Sequence, residues 1–355
     1  MKYPILIALV IMVPILAKAQ DNDGVQTIIR SGSTSESFES TIYHKSDRMP
    51  FRDIIVIDKR FDSSKTGYRP VAFNNFSRIE LKDSWSTILN NYFKKNLDTQ
   101  SRQSLVIIIK SFWLQTGLLD HTVQQKVIEK PVVKTMDMGT WRIGSGDVGG
   151  SCTASIDLFV QTDSSLQALF RIDTLFMNTT RYNKNNIDEF FFLPFDSAAR
   201  KISTLSIPDA LSRKKKFSWP EVSKHYDQRF DLPVLKAPAI RKGIFLSFDD
   251  FRQNNPSTTE FVFRNGKLTD ELYTVAGGKE ELVVKYWGFS DGKQLFIQAG
   301  LNAFRAIRQK NTFEILGAHH LSNKRDQASP YSLRKETFRM KKKIMQVNME
   351  NGKIY

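Results

Sequence analysis

The side chains best suited to metal binding or acid–base catalysis are scattered along this 355-residue chain. Its five histidines are His44, His121, His225, His319 and His320. None of them stands in an H-x-x-x-H pair or beside a pair of cysteines, the spacings that bring metal ligands together. The adjacent His319 and His320 would point to opposite faces of a strand. We therefore expect no metal site.

Carboxylates offer a second kind of chemistry. Glycosidases need two carboxyl groups at a fixed separation, and Asp249, Asp250 and Asp291 are the acids that suggest such a pair. A helix cap or turn is the simpler explanation of Asp249 and Asp250, and Asp291 begins an Asp-Gly turn. We predict no catalytic residues. The alternative is a hydrolase whose catalytic residues lie on separate loops, among them His121, Asp249 or His319.

A glycine-rich stretch at 144–149 matches the G-x-G-x-x-G phosphate-binding pattern letter for letter. That pattern binds a dinucleotide when a strand precedes it and a helix follows, so that the helix N-terminus faces the pyrophosphate. Here Thr153, Ile156, Phe159 and Val160 follow, and these residue types favour a strand. We interpret the glycines as a loop between two strands and expect no cofactor.

Positive charge is the main remaining chemical feature, with 52 Lys and Arg against 37 Asp and Glu. The two densest runs are Arg213, Lys214, Lys215 and Lys216, and Lys341, Lys342 and Lys343. Such runs bind polyanions through Coulomb attraction and counterion release, although a solvated basic face is the simpler interpretation. Both runs are candidate contacts for an anionic surface.

The first nineteen residues indicate which anionic surface that would be. A basic start precedes an uncharged apolar run at 4–16, and 17–19 reads Ala-Lys-Ala, an A-x-A cleavage signal. This is the layout of a secretory signal peptide. We expect export to the periplasm or the cell exterior, with cleavage after Ala19. Export excludes nucleic acid as a partner and favours other envelope proteins or the anionic envelope surface.

Cysteine usage adds to this interpretation. Cys152 is the only cysteine, so the chain forms no internal disulfide. It lies in an alternating run where a small buried hydrophobic residue is expected. Gln20 rather than a cysteine follows the predicted cleavage point, and we therefore expect no lipid anchor. After cleavage, no remaining segment has the roughly 18 consecutive apolar residues of a membrane-spanning helix.

Periodicity predicts a first folded region at 50–205, after a flexible polar leader at 20–48. Its predicted elements, in chain order, are a strand at 53–58, a helix begun by Asp83, a central strand at 104–114, a hairpin at 152–177 and a helical stretch at 187–205. Pro194 should break that last helix or begin a new one, because proline lacks the N–H that a helix interior needs.

The rest of the chain has a different predicted organisation. A Pro-rich, basic connector is predicted at 206–240, a strand-rich region at 241–320 and a basic tail at 321–355. Within the strand-rich region, the Asp-Gly turn at 291–292 predicts a hairpin, and a short helix or turn is expected around Phe304. The predicted fold class is α+β with two domains, an N-terminal mixed α+β domain and a C-terminal, mostly antiparallel β domain.

The first region resembles the strand–helix–strand–strand module of bacterial envelope accessory and assembly lipoproteins. The residues that carry the likeness are Ile54–Asp58 with Arg60, the helix at 84–97, the strand at 105–113 and the hairpin at 154–161 and 166–176. The residues YWGFSDGK at 286–293 resemble domains of uncharacterised exported proteins of Gram-negative bacteria. The first resemblance implies a role in envelope transport or assembly, and the second implies no activity.

These observations lead to one functional prediction and one alternative. We predict a non-enzymatic exported envelope protein that acts as a binding or assembly component. The alternative is a periplasmic or secreted hydrolase with catalytic residues on loops.

Overall fold

The structure is a computed structural model that describes residues 33–36, 48–72, 75–116, 150–178, 187–264, 270–299, 302–319 and 341–354. It combines helices with many strands in mixed sheets, so the predicted α+β class is confirmed. The predicted signal peptide, the glycine-rich stretch at 144–149 and His121 lie outside the described residues. Among the described helices, none has the length and apolar character needed to cross a membrane.

In the described part of the chain, the first sheet contains eight strands. They are β1 (Ser33–Glu36), β2 (Ile54–Asp58), β3 (Gly67–Ala72), β4 (Asn75–Leu81), β5 (Gln103–Thr116), β6 (Gly150–Thr162), β7 (Ser165–Asn178) and β8 (Lys216–Ser218). The order is β1-β4-β3-β5-β6-β7-β8, and β2 also pairs with β5. β5 is long enough to pair in parallel with β2 along its first half and with β3 near its end.

β5 is buried on both faces, which explains its nearly continuous apolar sequence. Leu105 and Ile107 face the larger of two hydrophobic clusters, which we call the main core. Val106 and Ile108 face a smaller hydrophobic cluster on the opposite side of the sheet, which we call the second cluster. β6 and β7 form the predicted hairpin, and Asp163 in its two-residue turn has a φ of 51°.

Two helices, α1 (Trp85–Phe93) and α2 (Ile187–Ser203), cover the main-core face of the first sheet. Ser84 begins α1, because its hydroxyl accepts a hydrogen bond from the backbone N–H of Thr87 at 3.1 Å. The prediction that Asp83 caps this helix is therefore wrong by one residue.

The predicted break at Pro194 is also wrong, since α2 runs through it. A proline inside a helix costs about 3 kcal/mol through the lost hydrogen bond and a steric clash. Burial of large aromatic side chains offsets that cost, because each contributes about 1.5–3 kcal/mol. The buried aromatic residues of α2 are Phe190, Phe191, Phe192 and Phe195.

Residues 206–240, predicted as a connector, form short packed elements. These are α3 (Ile207–Leu211), strand β8, α4 (Trp219–Asp227) and α5 (Pro233–Lys236). Val222 and Tyr226 of α4 pack against the second cluster of the first sheet. Val234 and Leu235 of α5 belong instead to the core of the C-terminal strands. This stretch therefore contacts both parts of the chain.

The C-terminal part contains two further sheets. A six-stranded antiparallel sheet has the order β9 (Gly243–Phe245), β13 (Gly288–Ser290), β14 (Leu295–Ala299), β15 (Asn302–Gln309), β16 (Thr312–His319) and β17 (Lys341–Gln346). A three-stranded sheet consists of β10 (Phe261–Arg264), β11 (Glu271–Ala276) and β12 (Lys279–Leu282). A short helix, α6 (Phe248–Arg252), follows β9.

Turn chemistry in this part agrees with the sequence. Asp291 accepts hydrogen bonds from the backbone N–H groups of Lys293 and Gln294, both at 2.7 Å, in the turn between β13 and β14. Asp250 caps α6 together with Ser247. The expected helix or turn around Phe304 is instead strand β15.

Two segments predicted as peripheral contain regular structure. Within the predicted tail, 341–346 form β17, and Met345, Val347 and Met349 are buried in the core of the six-stranded sheet. These three residues alternate along the chain, so their side chains lie on one face of the strand. Within the predicted leader, Ser33–Glu36 form β1, which pairs in parallel with β4.

Candidate functional site: a buried ionic junction and an exposed basic segment

The loop between β2 and β3 is shaped by Arg60. Its guanidinium binds both carboxylate oxygens of Asp58, at 2.9 and 2.7 Å, and donates to the carbonyl of Lys65 at 2.6 Å. The indole N–H of Trp85 also donates to Asp58, at 3.2 Å. These bonds fold the loop back on itself and fix the position of Lys65.

Lys65 joins the first sheet to the six-stranded sheet. Its Nζ lies 2.7 Å from Oδ2 of Asp62 and 2.7 Å from Oε1 of Glu314 in β16, and all three side chains are about 1% exposed. Tyr68 donates its hydroxyl proton to the other oxygen of Glu314 at 2.9 Å. We call Asp62, Lys65, Tyr68 and Glu314 the Lys65 network.

Burial and charge act differently on the two acids of the Lys65 network. Burial opposes ionisation of Asp62, but the charge and hydrogen bond of Lys65 and the hydrogen bonds of Ser64 outweigh it and hold the pKa of Asp62 below its usual value. For Glu314 burial is the stronger effect and raises its pKa, despite the attraction of Lys65. Burial and the adjacent Glu314 also raise the pKa of Tyr68.

A second network lies on the opposite side of β5 from the main core. Asp157 of β6 accepts hydrogen bonds from Arg171 at 2.5 Å and from the hydroxyl of Tyr226 at 2.6 Å. The Nζ of Lys110 lies 3.7 Å from Asp157 and 3.9 Å from Glu350, which follows β17. We call these residues, together with Arg229, the Lys110 network.

Arg229 completes the Lys110 network and connects it to the helical stretch. It pairs with Glu350 at 2.6 Å and donates to the carbonyls of Lys59 and Lys110 at 2.9 and 3.3 Å. Burial lowers the pKa of Lys110 despite the nearby acids. For Asp157, the bonds from Arg171 and Tyr226 outweigh burial and lower its pKa.

A narrow cleft separates the two networks. Asp62, Lys110, Ser111, Thr312 and Asn348 are among its lining residues, and it has room for about one water molecule. The charged groups around it already bind one another, and a cleft of this size admits no substrate. This arrangement can hold two sheets in register, since removing one partner of a buried ion pair costs about 3–5 kcal/mol.

The basic segment 213–216 lies elsewhere, at the edge of the first sheet. All four cationic side chains are exposed. The side-chain amide of Gln167 donates to the carbonyls of Leu211 and Lys214 at 3.2 and 3.0 Å, and Lys216 pairs with Gln167 as β8 begins. Ser218 then caps α4. The segment is therefore a turn fixed at both ends.

The second predicted basic run lies on a different sheet. Lys341, Lys342 and Lys343 form the first half of β17 and are opposite His319, Ala318 and Gly317 of β16. The structure therefore does not place the two runs on one strand pair or one sheet.

The other candidate residues are dispersed. Cys152 is free and fully buried, and burial raises its pKa, in line with the predicted structural role. Asp249 is exposed on α6 and pairs with Arg252. His225 is exposed on α4, and His319 lies in β16. Across the residues that the structure describes, no three His, Cys, Asp or Glu side chains group as metal ligands do.

Sequence reasoning missed both buried networks. The available signal was a single charge inside an otherwise apolar strand: Lys110 in SLVIIIKSFWL and Glu314 in TFEIL. A charge in such a position is almost never buried without a partner. The partners lie up to 249 positions away, as Lys65 and Glu314 do, and one sequence does not identify them.

Comparisons with known proteins identify no relative. No family model and no curated protein matches the chain. One solved structure, protein XCC0632 from Xanthomonas campestris of the family model DUF330, is similar with a TM-score of 0.25 and 6% sequence identity. The match covers 56% of this chain and 98% of that one. A TM-score this low carries no argument about fold or function.

Proposed function

We propose that this chain is an exported, non-enzymatic protein of the bacterial envelope that acts as a binding or assembly component. In this proposal it docks onto an anionic envelope surface through the basic segment 213–216, with Lys341, Lys342 and Lys343 as a second contact. The observation that carries the proposal is the placement of four consecutive exposed cations on a turn fixed at both ends.

The energetics of such docking are favourable. Each Lys or Arg held near an anionic membrane surface contributes about 1 kcal/mol, and four side by side act within one Debye length of each other. The turn is already ordered, so little further backbone entropy is lost on docking. The excess of basic residues over the whole chain, a formal net charge of +15, adds a longer-ranged attraction.

Export and the envelope resemblance are part of the same proposal. Their support is the signal-like start, the Ala-Lys-Ala cleavage site and the order of elements at 50–205. Expression of the full chain in a Gram-negative host should yield a protein that begins at Gln20 and that a high-salt wash releases from the membrane fraction. Recovery in the cytoplasm with Met1 intact would contradict export, and recovery in the soluble periplasm before the wash would contradict docking.

The division into two domains is also proposed. The main core belongs to the first sheet, and a separate cluster belongs to the six-stranded sheet. The two parts share the Lys65 and Lys110 networks at their boundary. A substitution confined to the first sheet should then lower one of two calorimetric transitions and leave the other unchanged.

A further inference from the structure

We propose that the outer edge of β12 binds an extended segment of another protein, which adds to the three-stranded sheet as a fourth strand. This site is distinct from the basic segment 213–216. It does not depend on export, because its evidence is the geometry of Lys279–Leu282 and the residues beside it.

The backbone of β12 has hydrogen-bonding groups directed away from its neighbour. The N–H of Val283 donates to the carbonyl of Leu272 at 2.7 Å, and Tyr273 is opposite Leu282 in the register. In an antiparallel pair, residues alternate between facing the partner and facing away. Glu280 and Leu282 therefore direct their N–H and C=O groups outward, and among the described residues no strand pairs with that side.

The face beside this edge is apolar and exposed. Leu272, Phe261 and Phe263 pack inward against the six-stranded sheet, which leaves the alternate residues on the outer face. Leu282 and Val284 are 49% and 77% exposed there, and both count among the large exposed hydrophobic residues of the described chain. An apolar pair next to outward-facing backbone groups is the arrangement that β-strand addition uses.

The charged side chains beside β12 indicate which kind of segment could bind to its outer edge. Glu280 is already neutralised, since Arg264 binds both of its carboxylate oxygens at 2.9 and 2.6 Å. Lys279 and Lys285 are exposed at the two ends of the stretch. The expected occupant is an extended segment with apolar side chains at alternate positions, for contact with Leu282 and Val284, and with an acidic residue near each end.

The experiment measures binding of a defined peptide to the full mature chain. The probe is a fluorescein-labelled nine-residue peptide of alternating valine and threonine with an aspartate at each end. The test variant is Leu282→Glu with Val284→Glu, which changes two exposed side chains. The control is Leu246→Glu, because Leu246 is exposed to 51%, close to the 49% of Leu282, but lies after β9 and outside the edge.

Fluorescence anisotropy should show binding to the wild type and to Leu246→Glu, and binding at least about tenfold weaker to the double variant. A peptide of the same length with proline at alternate positions should not bind, because proline cannot donate to a strand. Equal binding to all three proteins, or no binding to the wild type, would overturn the proposal. A wild-type dimer that the double variant dissociates would assign the edge to a second copy and overturn it as well.

Discussion

At the scale of residues, buried ion pairs connect the N-terminal and C-terminal parts of the chain. Lys65 and Lys110 are both buried, and each contacts an acid of the C-terminal part, Glu314 for Lys65 and Glu350 for Lys110. Apolar surfaces adhere without fixing a geometry, whereas an ion pair in a poorly solvated place has one good arrangement. We interpret the two networks as the contacts that set how the two sheets meet.

Two acids, one from each network, should respond to pH with opposite sign. Burial raises the pKa of Glu314 above its ordinary 4.5, so its contribution to stability is full below that value and is lost as pH rises through the raised pKa. The pKa of Asp157 lies below its ordinary 3.8, so its contribution is present above that value and is lost as pH falls through the lowered pKa.

Urea unfolding at several pH values checks this difference. Between about pH 4 and pH 8, the stability of Glu314→Gln relative to the wild type should increase, because glutamine resembles the protonated acid. Asp157→Asn should have a lower free energy of unfolding than the wild type, and this difference should shrink as pH falls below 3.8. Profiles of the same sign for the two variants would contradict the assigned electrostatics.

At the scale of elements, turn chemistry and long apolar runs were predictable, whereas elements that depend on distant partners were not. The β6–β7 hairpin and the Asp291 turn follow from local sequence. Strands β3 and β4 lack alternation strong enough to predict them, and β3 pairs with distant β5 as well as with neighbouring β4. α2 continues through Pro194 because burial of its aromatic side chains outweighs the unfavourable helix propensity of proline. A prediction from local sequence includes the propensity but not the burial.

Substitution of Gly67 tests the close approach of β3 to β5. A Cβ at this position would lie 1.8 Å from the carbonyl oxygen of Leu114, where β3 begins to pair with β5. Gly67→Ala must therefore displace backbone and should cost about 3 kcal/mol or more. Gly277→Ala is the control, since nothing lies within 4 Å of its Cβ and only its φ of 55° is unfavourable, at about 1–2 kcal/mol.

Calorimetry of Gly67→Ala also tests the proposed division into domains. Gly67 belongs to the first sheet, and its neighbour Tyr68 contacts Glu314 of the six-stranded sheet, so its substitution should lower the transition of the first sheet more than the other. Equal losses of unfolding free energy in Gly67→Ala and Gly277→Ala would contradict the close approach of β3 to β5. A single transition that shifts as a whole would contradict the two domains.

At the scale of the whole molecule, the sequence predicts export and the structure shows an exposed basic segment. The signal-like start and the cation excess are read directly from the chain. Exposure of the segment 213–216, and the bonds from Gln167 that hold it, require the folded first sheet. The candidate site was therefore predicted as a set of residues, while the bonds from Gln167 and the separation from Lys341, Lys342 and Lys343 were not predictable.

Docking of the basic segment onto an anionic surface has a direct test in vesicle co-sedimentation at about 0.1 M salt. The test variant changes Arg213, Lys214, Lys215 and Lys216 to glutamine. The control variant makes the same change in charge at four other exposed cations, Lys82, Lys94, Lys95 and Arg102.

The wild type and the control should sediment with phosphatidylglycerol vesicles and not with phosphatidylcholine vesicles. The test variant should bind the anionic vesicles about a thousandfold more weakly, since the four lost cations together remove about 4 kcal/mol. Equal binding by the test and control variants, or no binding by the wild type, would contradict the account.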